Sequence, residues 1–536
     1  MRLNTPKLIL DLIEENKLFY LYLKSCMSKY IFQLLSLCFL FTNCNSSEEI
    51  FPLKTNGTEK HYDTSLFPFY HGVASGDPLS DAVIIWTRVT PPNNMPIEVD
   101  WQISESPSFN NIISSGSVTT DSTSDFTVKV DVKGLKANTK YFYQFTAMDE
   151  QSITGETKTI NNTNEGDLKL GVVSCSNYEW GYFAAYKHLS EKELDAILHL
   201  GDYFYEYAPG KYGDTTIGRY NIPPREILSL DDYRTRYALY RTDKDLQVAH
   251  QKHPFIAIWD DHEITNNAYI SGAENHQEDE GSYDDRKAIA TQAYYEWLPI
   301  RENASDEIYR SFSFGELADL IMLDERLAGR TKQADSIAQV DESYSMLGSK
   351  QLAWFKDQLS TDGATWKIIG NQVIFSPLDV SKLRPDSPAN LDAWDGYAVE
   401  RDGIINYLVD NEVDNVVFLT GDTHTSWAFD VPAAVNNYPD SGKSAAVEFG
   451  TTSITSANWN EGRSDEETIG AEKIVKSSND HLKFVNARDH GYLLLTVSKS
   501  EVNADWYYVE DIKVKDSPEK LAKTISVKQG MNKLDL

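Results

Sequence analysis

The chain has 536 residues, 41% hydrophobic and 24% charged. This is a globular balance, too apolar for an extended disordered chain and long enough for about three domains, or one large and one small. Asp and Glu number 81 against 50 Lys and Arg, a formal net charge of −31. That excludes specific nucleic-acid binding through a basic surface and weakens attraction to anionic headgroups, so any phosphate chemistry must rely on local cations such as metal ions.

In chain order, the first signal is an apolar run, Ile31 to Phe41, of signal-peptide length and shorter than the roughly 18–20 residues of a spanning helix. It follows Met27-Ser28-Lys29-Tyr30, so Met27 is read as the true start, and it ends at Thr42-Asn43-Cys44 before a polar stretch. This resembles a bacterial lipoprotein signal, with Cys44 as the lipidated residue. Asn43 departs from the small residue usual there, and a plain secretory signal cut elsewhere is the alternative. Either way residues 1–44 are an export address, and the expected location is the bacterial envelope, as an anchored lipoprotein or a periplasmic or secreted protein. Of four cysteines, Cys26 and Cys38 fall in the address and Cys44 at its end, leaving Cys175 without a disulfide partner, as a buried thiol or a ligand.

Residues 45–68 read as a polar tether. From residue 69 to 160 short alternating runs, Val83–Thr87, Val99–Ile103 and Phe126–Val130, predict half-buried strands. Leu135, Thr139 and Tyr141 are spaced for a corner in which a phenol caps a turn between two sheets, so the segment is expected to be a fibronectin-III-like β-sandwich. After a linker at 161–167 the pattern becomes strand, loop, helix, the sign of an α/β layered domain. Strands are predicted at Leu168–Val173, Ala196–Leu200, Phe255–Trp259, Ala318–Leu323, Trp366–Ile369 and Val416–Leu419. Helices are predicted near 182–189, 286–298, 351–359 and 404–409, a closing hairpin at 491–497 and 502–509, and a tail at 511–536. The Gly- and Pro-containing stretch 207–232 is expected to wall an active site.

Five of these buried runs end in polar clusters: Ser174-Cys175; Gly201-Asp202-Tyr203-Phe204-Tyr205; Asp260-Asp261-His262-Glu263; Gly370-Asn371; and Gly421-Asp422-Thr423-His424. Carboxyl ends of parallel strands open onto one crevice, so such residues can meet there, and charge placed directly after buried runs is hard to explain otherwise. Asp202, Asp261, Asn371 and Asp422 are hard oxygen donors suited to Ca²⁺, Mg²⁺ or Mn²⁺; Cys175, Tyr205 and His424 suit a transition metal. A phenolate ligand requires a strong Lewis acid, for which Fe³⁺ is the natural candidate. Two different metals side by side are therefore expected.

The segments GDYFYEY, WDDHE and GDTH, with SCSN and HGVASGDP upstream, resemble PhoD-type alkaline phosphatases of the metallophosphatase superfamily, which includes the purple acid phosphatases. The resemblance runs over about residues 69–510. It implies a four-layer αββα α/β domain at 168–510 behind the small β-sandwich, with one Fe³⁺ and one or two Ca²⁺. By that resemblance Cys175, Tyr205 and His424 hold iron, Asp202 bridges, and Asp261, Asn371 and Asp422 face the divalent ion. Asp261 stands where many relatives carry Asn, Cys175 where they carry Asp, and no twin-arginine signal is present.

The expected activity is hydrolysis of phosphate monoesters or diesters by metal-activated hydroxide, with His262 protonating the leaving group and no nucleophilic serine. A structural role for His262, hydrogen-bonded to Asp260, is the alternative. Arg286 and Arg326 are candidate phosphate clamps, although a local ion pair within Asp324-Glu325-Arg326 competes for the latter. The expected partner is a small phosphate ester, with membrane contact only through a lipid at Cys44 and a monomeric state. The opposing reading is a surface binding lipoprotein whose metals only stabilise it.

Overall fold

The computed structural model describes residues 56–163, 166–302, 307–434 and 437–536. The expected address, Cys44 and most of the tether lie outside the described residues. Within them no helix is long and apolar enough to cross a membrane.

The first eight strands are β1 (Val73–Gly76), β2 (Ala82–Arg88), β3 (Ile97–Ser104), β4 (Ile112–Thr120), β5 (Thr127–Lys133), β6 (Lys140–Ala147), β7 (Glu150–Gln151) and β8 (Gly155–Lys158). Their inward residues, among them Val83, Ile85, Val99, Ile103, Val128, Val132, Tyr141 and Phe145, form one apolar core between two sheets. The phenol corner is present: Tyr141 is buried and its Oη accepts from the Lys136 N–H at 2.8 Å, with Leu135 packed beneath. One sheet, β4-β3-β6-β7 with β8 on β6, is the sandwich's own.

The other face of the sandwich is shared with the α/β layers. Strands β9 (Leu168–Val173), β10 (Ala196–His199) and β11 (Pro254–Ala257) run parallel, and β1 pairs in parallel with β11 through Ser75 and Gly76. The sheet thus has ten strands in the order β22-β21-β20-β19-β9-β10-β11-β1-β2-β5. Its far side comprises β19 (Gly491–Val497), β20 (Glu501–Val509), β21 (Glu519–Lys528) and β22 (Leu534–Asp535). The segment expected as a tail therefore adds two strands to this sheet. Within β21 and β22 only Ile525, Val527 and Leu534 are buried, so the alternation that marks a strand is faint in sequence.

A second, seven-stranded sheet is built from β12 (Arg310–Phe314), β13 (Ala318–Met322), β14 (Trp366–Gly370), β15 (Val416–Thr420), β16 (Ser426–Pro432), β17 (Ser444–Gly450) and β18 (Leu482–Asn486). Its central strands are covered on both faces. Leu320, Ile368, Val417 and Leu419 belong to the core shared with β9 and β10, whereas Ile321, Ile369 and Phe418 face Phe355, Leu359, Ile404 and Leu408. That double burial explains why these strands read as unbroken apolar runs.

Helices α1 (Ala184–Ser190), α2 (Leu230–Tyr240), α3 (Lys244–Lys252) and α4 (Tyr283–Trp297) accompany the first sheet; α5 (Gly348–Ser360) and α6 (Ala398–Asp410) cover the second. The result is four layers, helix, sheet, sheet, helix. Close approach of α1 requires Gly171 on β9, where a Cβ would lie 2.7 Å from Leu189 Cδ1.

Replacing Tyr141 by Phe strands the Lys136 N–H at the sandwich corner. A loss of about 1–2 kcal/mol in urea unfolding is expected, with the denaturant slope unchanged. An unaltered midpoint would show that the corner carries no stability.

Candidate metal centre

Strands β9, β10 and β11 of one sheet and β14 and β15 of the other end on the same side, and their following turns carry the functional side chains. Four of these residues, Cys175, Asp202, Asp422 and His424, hold left-handed backbone, with φ of 59°, 55°, 58° and 62°. Residues other than glycine avoid this region, and such strain persists where surrounding structure enforces it. The enforcement is visible: Cys175 N–H bonds Gly201 O, Ser176 N–H bonds Asp202 O, and Gly421 N–H bonds Gln372 O. Glu263 adds a buried brace, accepting from the backbone N–H groups of Asp202 (3.1 Å), Tyr203 (2.6 Å) and Asp260 (2.9 Å). Gly201, at φ +95°, lets the turns after β10 and β11 touch; a Cβ there would lie 2.4 Å from the Asp260 nitrogen.

Ligand-capable atoms of Cys175, Asp202 and His424 lie within 4.8 Å of one another, as do those of Asp202, Asp261 and His262, and of Asp260, Asp261 and Asp422. The Tyr205 hydroxyl sits in the first group, donating to Asp202 Oδ2 at 3.0 Å and standing 3.1 Å from His424 Nε2; Ser456 Oγ donates to it at 2.6 Å. His424 Nδ1 lies 2.7 Å from Ala457 O, which turns Nε2 toward Tyr205, and burial lowers its pKa to about 4, leaving a neutral imidazole suited to ligation.

The carboxylates are crowded. Burial and neighbouring acids push Asp202 well above the usual carboxylate range and Asp422 up to about 8, while burial and then Asp202 raise the Cys175 thiol. Asp202 Oδ1, Asp260 Oδ2 and Asp261 Oδ1 are buried without a hydrogen-bond partner. A donor set of thiol, phenol, imidazole and carboxylates with three orphaned oxygens fits bound cations, which alone can stabilise so much negative charge in one place.

Two expected residues are engaged by other protein groups. Asn371, which follows β14, is held through both ends of its amide: its Oδ1 accepts from Trp394 Nε1 at 3.1 Å, and its Nδ2 donates to Val373 O and, at 3.3 Å, to Thr420 Oγ1. Arg286 lies outside the cluster, its guanidinium bonded to Tyr233 Oη, Asn275 O, Glu226 and Ile227 O, with no face left for a phosphate. Arg326 does enter the centre, but neither as a clamp nor as part of a local ion pair. It is fully buried, with Nε on Asp260, Nη1 on Asp392 at 2.9 Å, and Nη2 facing Asp422 at 3.4 Å and Asp261 at 3.6 Å. Its N–H groups are engaged by carboxylates.

His262 takes Glu206, not Asp260, as its partner, with Nδ1 2.6 Å from Glu206 Oε2. Burial disfavours a charged imidazole, yet Glu206, Asp261 and Asp202 outweigh it and raise the His262 pKa well above its ordinary value. Glu206 is fixed in turn by Thr265 Oγ1, Asn266 N–H and Asn275 Nδ2, and falls to about 2 because His262 outweighs the penalty of burial. Arg236 holds the same loop, donating to the carbonyls of Tyr205 and Tyr207. Tyr207 and Tyr212, from the stretch expected to wall the site, stand with ring centroids 5.5 Å from His262 and 6.5 Å from His424. The sequence assigns no role to Glu206, Glu263 or Asp392. Glu206 and Glu263 lie inside GDYFYEY and WDDHE, a signal that could have found them, whereas nothing near Asp392 marks it.

Paired sheets with a donor set of this kind at their strand ends define a metallophosphatase. Comparison with known proteins agrees. Residues 170–506 match the family described as PhoD-like phosphatase, and residues 56–161 match its N-terminal domain. Alkaline phosphatase D of Bacillus subtilis (strain 168) is 37% identical over 464 residues, covering 82% of this chain and 78% of the relative. A solved structure titled "Structure of PhoD" superposes with a TM-score of 0.79 at 32% identity, over 88% of this chain and 92% of that one. The chain belongs to the PhoD-like phosphatase family and is a metal-dependent phosphoric ester hydrolase of the alkaline phosphatase type.

Charge crowding sets a pH signature for the metal-free protein. Asp422 at about 8 and Glu263 at about 7 are raised above their unfolded values, so they favour folding at low pH and lose that contribution as pH rises toward 7–8. His262, raised by its acids, acts in the same direction above its unfolded value near 6.5. Thermal unfolding of chelated protein is expected to show a midpoint that falls from pH 5 to pH 8 and is restored by metal most strongly at pH 8. A flat or rising midpoint would contradict the crowding.

Proposed function

We propose that the centre holds one Fe³⁺ on Cys175, Tyr205 and His424, with Asp202 bridging toward Asp261 and Asp422, which face one or two Ca²⁺. The observation that carries this is the approach of Cys175, Asp202 and His424 to within 4.8 Å, with the Tyr205 hydroxyl between Asp202 and His424. Thiol, phenol and imidazole suit iron, and the all-oxygen side suits calcium. Burial and charge raise both Cys175 and Tyr205, so each loses its proton only to a strong Lewis acid. When bound, these cations supply Lewis acidity toward phosphoryl oxygens and an acidified water at neutral pH.

The chain's own residues do the rest. Glu206 fixes His262 through Nδ1, leaving Nε2, which makes no hydrogen bond to the described residues, to give a proton to the departing alcohol. Asp202 Oδ2 accepts from the Tyr205 hydroxyl and its Oδ1 has no protein partner, so this carboxylate would be free to bridge bound cations. Tyr207 and Tyr212, with ring centroids 5.9 Å apart, stand beside His262 and His424. A small phosphate monoester or diester, hydrolysed by a monomeric protein, is the reading we favour; the binding-only alternative gains no support from the comparisons. Export to the bacterial envelope, with a lipid on Cys44, rests on the apolar run and the cysteine that follows it.

Chelation is expected to abolish release of a chromogenic alcohol at neutral to alkaline pH, and re-added iron plus calcium to restore it. Asp202→Asn and His424→Ala lose both activity and bound iron; full activity in either variant after verified metal loading sinks the assignment. The iron form carries a visible charge-transfer band that moves in Tyr205→Phe or Cys175→Ser, and a colourless iron-replete protein excludes those ligands.

Substituting His262 by Ala lowers kcat about 10²–10³-fold on an alkyl phosphate and far less on a nitrophenyl ester, whose leaving group needs no proton. Equal losses on both substrates would remove His262 from the acid role.

A further inference from the structure

Among the described residues, the fully buried guanidinium groups of Arg326, Arg330 and Arg236 have carboxylates or a set of backbone carbonyls, and that of Arg241 does not. Arg326 faces carboxylates. Arg236 has no carboxylate, yet gives each nitrogen a backbone carbonyl, those of Ile222, Tyr205 and Tyr207. Arg241, which follows α2, is fully buried and pairs with no carboxylate among the described residues. Only its Nη2 finds acceptors, the carbonyls of His71 at 3.2 Å and Val73 at 3.5 Å, while Nε and Nη1 have none. The Trp86 ring lies 4.5 Å from the guanidinium carbon.

The same junction of sandwich and helices collects other buried polar atoms without partners: Ser75 Oγ on β1, Tyr143 Oη on β6 and His250 Nδ1 on α3. Tyr143 Oη stands against Ser75 Oγ and Tyr203 Oη against the Arg241 guanidinium, and Tyr143 lies within electrostatic reach of the same charge. His250 Nε2 is 2.9 Å from Tyr203 Oη. The guanidinium N–H groups left over and the Ser75–Tyr143 hydroxyl pair thus supply donors around one formal positive charge. Arginine cannot shed that charge, and leaving it bare in a low-dielectric interior is far costlier than a missing hydrogen bond. Water can satisfy the donors but brings no counter-charge.

We propose that Arg241, with the hydroxyls of Ser75 and Tyr143, binds a small monovalent anion of the halide class, buried between sandwich strands β1 and β6 and helices α2 and α3. A single guanidinium sets the charge at one, and the packed rings of Trp86, Tyr143 and Tyr203 restrict the size. The anion lies beside Tyr203, next in sequence to Asp202, and so braces the loop that carries the metal ligands.

Crystals of the metal-loaded protein grown in sodium bromide, measured at the bromine edge, are expected to show an anomalous peak within about 3.5 Å of Arg241 Nε or Nη1. Density there without anomalous signal would overturn the site in favour of water. In solution, replacing gluconate by bromide at constant ionic strength is expected to raise the thermal midpoint and to saturate. Tyr143→Phe keeps the charge and moves half-saturation up about tenfold, and Arg241→Met removes the response. A response that does not saturate, or that Tyr143→Phe leaves unchanged, identifies general ionic effects and overturns the proposal; the Tyr143→Phe arm stands if Arg241→Met does not fold.

Discussion

Mutual repulsion among buried acids is the constraint around which this protein is arranged. Asp202, Asp260, Asp261, Asp392 and Asp422 converge on a space that they share with the cations Arg326 and His262. At contact distances in a partly dehydrated interior, each like-charge pair costs several kcal/mol, more than any single packing contact returns. Bound cations reverse that sign, so what would be a fault in the apo chain becomes the source of metal affinity. The site and the stability of the fold are therefore one problem in electrostatics.

Backbone geometry shows how the chain keeps those acids together. A ligand in relaxed extended backbone could swing away from its neighbours, whereas Cys175, Asp202, Asp422 and His424 are locked in the left-handed region by hydrogen bonds between turns of different strands. Buried acids outside the ligand set serve the same end. Glu263 spans two turns, Glu325 accepts from Gln372 and Val373, and Glu448 from Phe375 and Ser376. Each satisfies backbone donors that the strand ends would otherwise leave buried and unpaired.

The layered architecture and the strand-end clusters were legible because both rest on local patterns: apolar runs buried on two faces, followed at once by Asp, His or Cys. What was not legible depends on where loops travel. Asn371 has the right chemistry and the right position after β14, but Trp394 claims its oxygen, and that ring arrives from a segment 23 residues further on. Arg326 sits in an acidic stretch that suggests a local ion pair, yet its partners Asp260 and Asp392 are each 66 residues away. The β-sandwich was readable as a unit, whereas its hydrogen-bonded union with the larger sheet was not, because pairing of β1 with β11 leaves no trace in either strand's own periodicity.

That union bears on how such proteins can be taken apart or recombined. Because β1, β2 and β5 continue the sheet that carries Asp202 and Asp261, excising the amino-terminal region would not detach a bead from a string. It would bare the edge of β11, an aggregation-prone row of unsatisfied amides and carbonyls, directly beneath the ligand-bearing turn. The outer strands β3, β4 and β6 form a sheet of their own, whereas the inner three are hydrogen-bonded into the one that carries the catalytic chemistry.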